Sequence, residues 1–223
     1  MKTFPRTTLL LIALFLAAAH ATIFAADPSR WQKNMAAFEE QDRANPPKQG
    51  GVLFLGSSSI RLWKTLAEDF PGVPVLNRGF GGSTIPDSIY YFDTLVMPSK
   101  PSRIVFFAGT NDISGGATPE KVAADFREFC AKLHKALPET RVIFLSLALV
   151  ESRWNQRASV ALANTYVAAF CHSDPRLTFL DTTTAMLTPE GNVRPEFYLK
   201  DKLHMNAAGY AEWTKLVAPL LRK

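Results

Sequence analysis

Cysteine is scarce in this chain, with two residues among 223, and histidine is hardly more frequent, with four. A single possible disulfide bond cannot hold a chain of this length in its fold, so the chain is not a disulfide scaffold. The cysteines also lack histidines at zinc-ligand spacing, and the sequence predicts neither a metal nor a cofactor. Cys130 and Cys171 each end an apolar helical pattern, so we expect free, buried thiols although export would permit a bridge.

Concentrated positive charge is also missing. The formal net charge is +5, and removal of Lys2 and Arg6 with the N-terminal segment would leave +3. This charge is mild and evenly spread, without a basic run that interleaves aromatic residues, so we expect no nucleic-acid partner. The chain likewise lacks the Gly-Lys-Ser/Thr ending of a P-loop and the Gly-x-Gly-x-x-Gly spacing of dinucleotide-binding folds.

Long apolar runs are absent beyond the N-terminus. There, Lys2 and Arg6 precede the apolar run Leu9–Ala19, and small residues follow. This layout predicts a secretory signal peptide over residues 1–26. An uncleaved membrane anchor is the alternative, but the run is shorter than the ~20 apolar residues that span a bilayer. We therefore expect an exported protein, periplasmic or secreted, without stable membrane insertion after cleavage.

The remaining residues, 27–223, suit one domain with a substantial core. Short runs rich in β-branched and aromatic residues predict parallel strands buried on both faces, and helical patterns separate most of them. This alternation predicts a single three-layer α/β/α domain with a doubly wound sheet. The predicted strands are Gly51–Gly56, Val73–Leu76, Arg103–Gly109, Arg141–Ser146 and Leu177–Asp181; the predicted helices are Pro28–Arg43, one opening at Pro119, Asn155–Phe170 and Asn206–Leu221.

Polar residues follow the predicted strands at their carboxyl ends, where such sheets bind ligands. A serine needs a base and a group that orients the base to become a nucleophile. We predict Ser58 as nucleophile, His204 as base and Asp201, three residues earlier, as its orienter. Ser57 and Ser59 are rival nucleophiles. Each motif alone also fits an ordinary capped turn.

Two further segments can supply hydrogen-bond donors to an oxyanion. Asn77–Thr84 is rich in glycine, so its backbone N–H groups can approach a substrate closely. Gly109–Asp112 offers the side-chain amide of Asn111 at the next strand end. A plain turn would explain either segment by itself.

Together, these four segments resemble the SGNH branch of the GDSL esterase/lipase family, which carries them in the same order. The resemblance implies a five-stranded, parallel, flavodoxin-like sheet, the SGNH hydrolase fold. It also implies a triad of Ser58, His204 and Asp201. The oxyanion donors would be the Ser58 and Gly82 backbone N–H groups, with Gly81 as the alternative to Gly82, and the Asn111 amide.

The resemblance has one departure, because Ser57 stands where the family usually has an acidic residue. Two longer segments, Phe54–Trp63 and Leu203–Tyr210, are similar to small bacterial acylhydrolases related to platelet-activating-factor acetylhydrolase-type proteins. Arg153 and Trp154 follow the fourth predicted strand and are our candidates for substrate binding, with plain loop packing as the alternative.

These features predict an exported serine esterase that hydrolyses short-chain acyl esters, acetyl above all, of small molecules or carbohydrates through an acyl-enzyme. A lysophospholipase or thioesterase of the same family is the alternative within this class, and a non-catalytic glycan-binding module is the alternative outside it. We interpret Asp181 as structural, and His134 and His172 as solvated residues near helix ends.

Overall fold

The structure is a computed structural model that describes residues 27–221, so the predicted signal peptide lies outside the described residues. Within residues 27–221, the strands are β1 Val52–Gly56, β2 Val75–Gly79, β3 Arg103–Phe107, β4 Arg141–Leu145 and β5 Leu177–Leu180. These five parallel strands form one sheet in the order β2-β1-β3-β4-β5. The predicted parallel, flavodoxin-like order is confirmed.

Helices cover both faces of the sheet, which gives the predicted three layers. The α-helices are α1 Gln32–Ala44, α2 Ser58–Arg61, α3 Leu66–Asp69, α4 Ile85–Tyr90, α5 Phe92–Leu95, α6 Thr110–Ser114, α7 Pro119–Ala136, α8 Arg157–His172 and α9 Ala207–Leu221. The first cluster of buried side chains packs one face of the sheet against α1, α4, α5, α7 and α8, and the second packs the other face against α2, α3 and α9. Short 3₁₀ segments span Pro28–Trp31, Glu151–Gln156, Thr184–Met186 and Pro195–Phe197.

The second strand corrects the prediction in two ways. It runs from Val75 to Gly79 rather than from Val73 to Leu76, because Gly79 still pairs with Gly56 of β1. The strand is also half-buried over its first three residues, since it lies at the edge of the sheet. The prediction of strands buried on both faces therefore holds for the central strands and is wrong for both edge strands, since β5 at the other edge has Thr178 exposed.

Helix starts follow the capping residues. The Thr118 side chain accepts a hydrogen bond from the Lys121 N–H, and Pro119 occupies the first helical position. Asn206 caps α9 as predicted, since its Oδ1 accepts from the Ala208 N–H at 2.9 Å. The first predicted helix begins as a 3₁₀ turn and becomes α-helical only at Gln32.

The two cysteines are free and buried in the same core cluster, as predicted. Burial raises the pKa of both thiols, so they stay protonated and unreactive at neutral pH. His172 is exposed as expected. His134 is not simply solvated, because it is partly buried and its Nε2 lies 3.0 Å from the Thr140 carbonyl oxygen.

Candidate active site

The turn that joins β1 to α2 presents the serines at the carboxyl edge of the sheet. Gly56 has a φ of +150°, and a Cβ there would lie 2.0 Å from the Phe107 carbonyl oxygen of β3. Only glycine fits so close to the neighbouring strand. The next residue, Ser57, donates its N–H to that same Phe107 oxygen at 3.0 Å. The chain is thereby turned sharply, and Ser58 becomes the first residue of α2.

Ser57, the one departure from the resembled motif, is buried in this turn and 4% exposed. Its carbonyl oxygen accepts the N–H groups of Ile60 and Arg61, both at 3.1 Å. Backbone bonds therefore hold the turn without a charge on this side chain.

His204 and Asp201 lie in a tight loop, residues 198–205, that we call the histidine loop. An antiparallel bridge between Tyr198 and Met205 closes it, and the Leu199 N–H donates to the His204 carbonyl oxygen at 2.8 Å. Lys202 takes a left-handed φ of +55° inside the loop. This compact turn brings a carboxylate and an imidazole three residues apart into contact.

A continuous hydrogen-bond chain joins the three predicted triad residues. The Asp201 Oδ2 lies 2.7 Å from His204 Nδ1, and His204 Nε2 lies 2.9 Å from Ser58 Oγ. Asp201 Oδ1 accepts the backbone N–H groups of Leu203 and His204, each at 3.0 Å. Hydrogen bonds from the His204 backbone and side chain lower the pKa of Asp201 to about 2.

That ionised carboxylate decides which histidine nitrogen carries the proton. A carboxylate without a proton only accepts hydrogen bonds, so His204 Nδ1 must donate to Asp201. Its Nε2 is then the acceptor that faces Ser58 Oγ. The arrangement can take a proton from the Ser58 hydroxyl and hold the resulting positive charge beside Asp201.

The glycine segment lies beside this serine. The Ser83 hydroxyl donates to the Gly56 carbonyl oxygen at 3.3 Å, and Gly82 takes a left-handed φ of +83°. Trp31 backs the segment, since a Cβ at Gly82 would lie 3.4 Å from its ring. Among residues 27–221, neither the Gly82 N–H nor the Ser58 N–H donates to a hydrogen-bond acceptor. Ser58 lies in the first turn of α2, where the backbone N–H groups have no carbonyl partner within the helix. Both N–H groups are thus unpaired within the described residues.

Asn111 completes the set of candidate donors, and its amide is held at two atoms. Its Nδ2 donates to the Ser83 carbonyl oxygen at 3.0 Å, and its Oδ1 accepts from Arg153 Nη1 at 3.1 Å. An amide nitrogen has two hydrogens, so one N–H of Asn111 remains for a ligand.

Ser58, Asn111 and His204 meet in a small cavity of about 30 Å³, whereas Gly82 is not among the described residues that line it. Arg153, a candidate for substrate binding, lines it, but its guanidinium already contacts Asn111. The other candidate, Trp154, is not among the described residues that line it; Arg157 lies over its ring at 5.4 Å. The cavity is lined by Ser57, Ser58, Ser59, Phe107, Thr110, Asn111, Ala148, Val150, Arg153, Leu203 and His204.

The family comparison matches this geometry to a known group of enzymes. Residues 51–212, well over half of the chain, match the model of the GDSL-like lipase/acylhydrolase family. The chain belongs to this family. It is therefore an ester hydrolase, and the serine, asparagine and histidine segments of this acylhydrolase line one cavity.

Solved structures agree with this acylhydrolase in fold. A protein from Streptococcus pneumonia, provisionally described as a platelet activating factor, is 19% identical with a TM-score of 0.76, covering 86% of this chain and 94% of that one. A provisionally described acylhydrolase from Bacteroides fragilis is 23% identical with a TM-score of 0.71, covering 86% and 97%. A variant of an acetyl-xylooligosaccharide esterase from Geobacillus is 16% identical with a TM-score of 0.63, covering 79% and 96%. A comparison with curated proteins found no match.

Residues 27–221 contain no cluster of three His, Cys, Asp or Glu side chains placed to bind a metal ion. Within the same residues, no helix combines the length and apolar character needed to cross a bilayer.

Asp112, next to Asn111, has a role that the sequence reasoning missed. It is 5% exposed, and its Oδ1 accepts the Ile85 N–H at 3.0 Å, which links α6 to the start of α4. Its Oδ2 has no hydrogen-bond partner within the described residues. Burial raises the pKa of Asp112 to about 7, because the carboxylate form would lack water.

Asp112 should make the acylhydrolase less stable as the pH rises. The unfolded carboxyl loses its proton near pH 4, whereas the folded one keeps it until about pH 7. The contribution of Asp112 to the free energy of unfolding is complete below about pH 4 and is lost as the pH rises through about 7. The total loss is at most ~4 kcal/mol. Asp112→Asn should flatten urea-derived unfolding free energies between pH 4 and 8. Asp93→Asn, at an exposed position, should keep the wild-type slope, and an unchanged slope in Asp112→Asn would contradict this interpretation.

Proposed function

We propose that this acylhydrolase is an exported serine esterase that cleaves short-chain acyl esters, acetyl esters above all, through Ser58, His204 and Asp201. The observation that carries the proposal is the chain of hydrogen bonds from Asp201 through His204 to Ser58, with steps of 2.7 and 2.9 Å. A serine hydroxyl becomes a nucleophile when a base oriented in this way takes its proton.

The reaction proceeds in two halves. Ser58 Oγ attacks the ester carbonyl carbon while its proton passes to His204 Nε2, and Asp201 stabilises the imidazolium. His204 then gives that proton to the departing alcohol oxygen, which leaves an acyl group on Ser58. Water attacks the acyl carbon with His204 again as base, and the proton returns to Ser58 as the acid is released.

Negative charge develops on the carbonyl oxygen in both halves. The Ser58 and Gly82 backbone N–H groups and the free Asn111 amide N–H are the proposed donors to it. Donors held in place before the reaction need no reorganisation as the charge forms, and each is worth about 10²- to 10³-fold in rate.

The size of the cavity supports a short acyl group. A cavity needs about 10 to 15 Å³ for each water-sized group. The cavity beside Ser58 measures about 30 Å³, which is only a few times that minimum. A small group such as acetyl is therefore the proposed occupant, in preference to the long chain of a lysophospholipid.

Export and a carbohydrate ester as substrate are further parts of this proposal. Export is supported by the signal-peptide pattern of residues 1–26. A carbohydrate acetate is supported by the fold that this chain shares with an acetyl-xylooligosaccharide esterase.

Hydrolysis of p-nitrophenyl esters from acetyl to dodecanoyl tests the acyl preference. We expect kcat/KM to be highest for acetyl and to fall at least tenfold by hexanoyl, because a longer chain overpacks the small cavity at a cost of about 1 to 3 kcal/mol. Acetylated xylooligosaccharides and a lysophospholipid should be assayed beside them, with Ser58→Ala as the background control. A kcat/KM that rises towards dodecanoyl would contradict the short-acyl proposal and favour the lysophospholipase.

A further inference from the structure

We propose that Arg153 is a positioning residue for catalysis, which fixes and polarises the Asn111 amide so that its free N–H serves the oxyanion. This inference rests on the proposed function, since it assigns a supporting group to that same site. It changes the role predicted for Arg153 from the sequence, which was contact with the substrate.

The contacts of the guanidinium carry the inference. Arg153 Nη1 donates to Asn111 Oδ1 at 3.1 Å and to the Thr110 carbonyl oxygen at 3.3 Å. The opposite side of the amide donates to the Ser83 carbonyl oxygen. Asn111 is thereby held at its oxygen and at one N–H, so the amide cannot flip without losing both contacts. The second N–H is left with a fixed direction.

The arginine is itself held in place rather than free at the surface. It is half-buried within the 3₁₀ segment Glu151–Gln156, where its own backbone is not helical (φ −127°, ψ 28°). The Arg153 backbone N–H donates to the Val150 carbonyl oxygen at 3.2 Å. The backbone N–H of Ser152 donates to the carbonyl oxygen of Lys202, in the histidine loop, at 3.3 Å. The segment Glu151–Gln156 therefore contacts both Asn111, a proposed oxyanion donor, and the loop that carries His204.

The charge of Arg153 adds to its geometric effect. Burial lowers its pKa, but a guanidinium in a protein keeps its proton at neutral pH. A positive charge at the amide oxygen draws electrons from the amide and strengthens its remaining N–H as a donor, an effect that is largest where water is excluded. The benefit grows as negative charge develops, so it acts on the transition state more than on the bound ester.

A double-mutant cycle between the two residues tests the proposal. Arg153→Met removes the charge and the donor but keeps much of the side-chain volume, and Asn111→Ala removes the amide through which Arg153 acts. Arg157→Met is the matched control, since Arg157 lies in the same region, over the Trp154 ring, and donates to the Trp154 carbonyl oxygen. The probe is p-nitrophenyl acetate, with kcat and KM measured separately and thermal unfolding recorded for each variant.

We expect Arg153→Met to lower kcat about 10- to 100-fold in the wild-type background, part of the cost of losing one oxyanion donor. KM should change little. In the Asn111→Ala background, the same substitution should change kcat less than about threefold, because coupled residues are non-additive. Arg157→Met should leave kcat within about twofold in both backgrounds. Arg153→Lys, which keeps the charge, should recover part of kcat. If Arg153→Met does not fold, Arg153→Ala takes its place in the cycle.

Two results would overturn the inference. An equal loss of kcat in both backgrounds would mean that Arg153 does not act through Asn111, and a change confined to KM would restore its role as a substrate-binding residue. Ser58→Ala in the same assay separates the two proposals. If Ser58→Ala is inactive and Arg153→Met has the wild-type kcat, only the proposed role of Arg153 fails. If Ser58→Ala stays active, the proposed function fails.

Discussion

Replacing Ser58 by alanine is expected to reduce kcat for p-nitrophenyl acetate by roughly 10⁴- to 10⁶-fold. The hydroxyl lies 2.9 Å from His204 Nε2, and without it no acyl-enzyme can form. The oxyanion donors remain in the variant, so hydrolysis by water should stay somewhat above the uncatalysed rate. The measurement is steady-state hydrolysis at enzyme concentrations high enough to quantify the residual rate.

The neighbouring serines provide the controls for this loss. Ser57 and Ser59 lie on either side of Ser58, and both line the same cavity. The contact with His204 Nε2 belongs to Ser58 alone of the three. Ser57→Ala and Ser59→Ala should therefore retain kcat within about tenfold, since they keep the nucleophile and its base. Full activity in Ser58→Ala, with loss in one neighbour, would move the nucleophile to that neighbour.

Asp201→Asn is expected to lower kcat roughly 10²- to 10⁴-fold. The asparagine can donate a hydrogen bond to His204 Nδ1 and so favour the wrong tautomer, and it cannot stabilise the imidazolium. The Asp201 side chain is 47% exposed, so water replaces part of its effect and we expect the loss to lie in the lower half of that range. KM should change little, because Asp201 is not among the residues that line the cavity in the described structure.

Asp181 offers a matched control for this variant. It also accepts two backbone N–H groups with one carboxylate oxygen, those of Thr183 and Thr184 at 2.9 and 3.1 Å, but it has no histidine partner within the described residues. Asp181→Asn should leave kcat unchanged even if it lowers the melting temperature. Equal kcat losses in Asp181→Asn and Asp201→Asn would indicate that turn stability, rather than the orientation of His204, limits activity.

The sequence predicts the sheet well because its signals are local. Apolar β-branched and aromatic runs predict the central strands to within two residues, and capping residues such as Thr118 predict where a long helix starts. The order of four motifs along the chain also predicts which residues meet at the sheet edge. The structure brings Ser58 and His204, 146 residues apart, within hydrogen-bond distance.

What the sequence does not reveal depends on contacts between distant segments. The end of β2 is set by its pairing with β1, since Gly79 lies opposite Gly56. The Asp112 carboxylate holds the start of α4, and Arg153 holds an amide 42 residues away. One local signal for α4 was present, because Thr84 and Asp87 form a capping box around a helix start.

Covalent labelling with a fluorophosphonate, followed by peptide mass spectrometry, tests the central claim most directly. The reagent phosphonylates a serine only where a base and oxyanion donors activate it, so the adduct identifies the nucleophile. The account predicts one adduct, on Ser58, that disappears in Ser58→Ala and weakens in His204→Ala. An adduct on Ser57 or Ser59, or no adduct on folded wild-type protein, would contradict it.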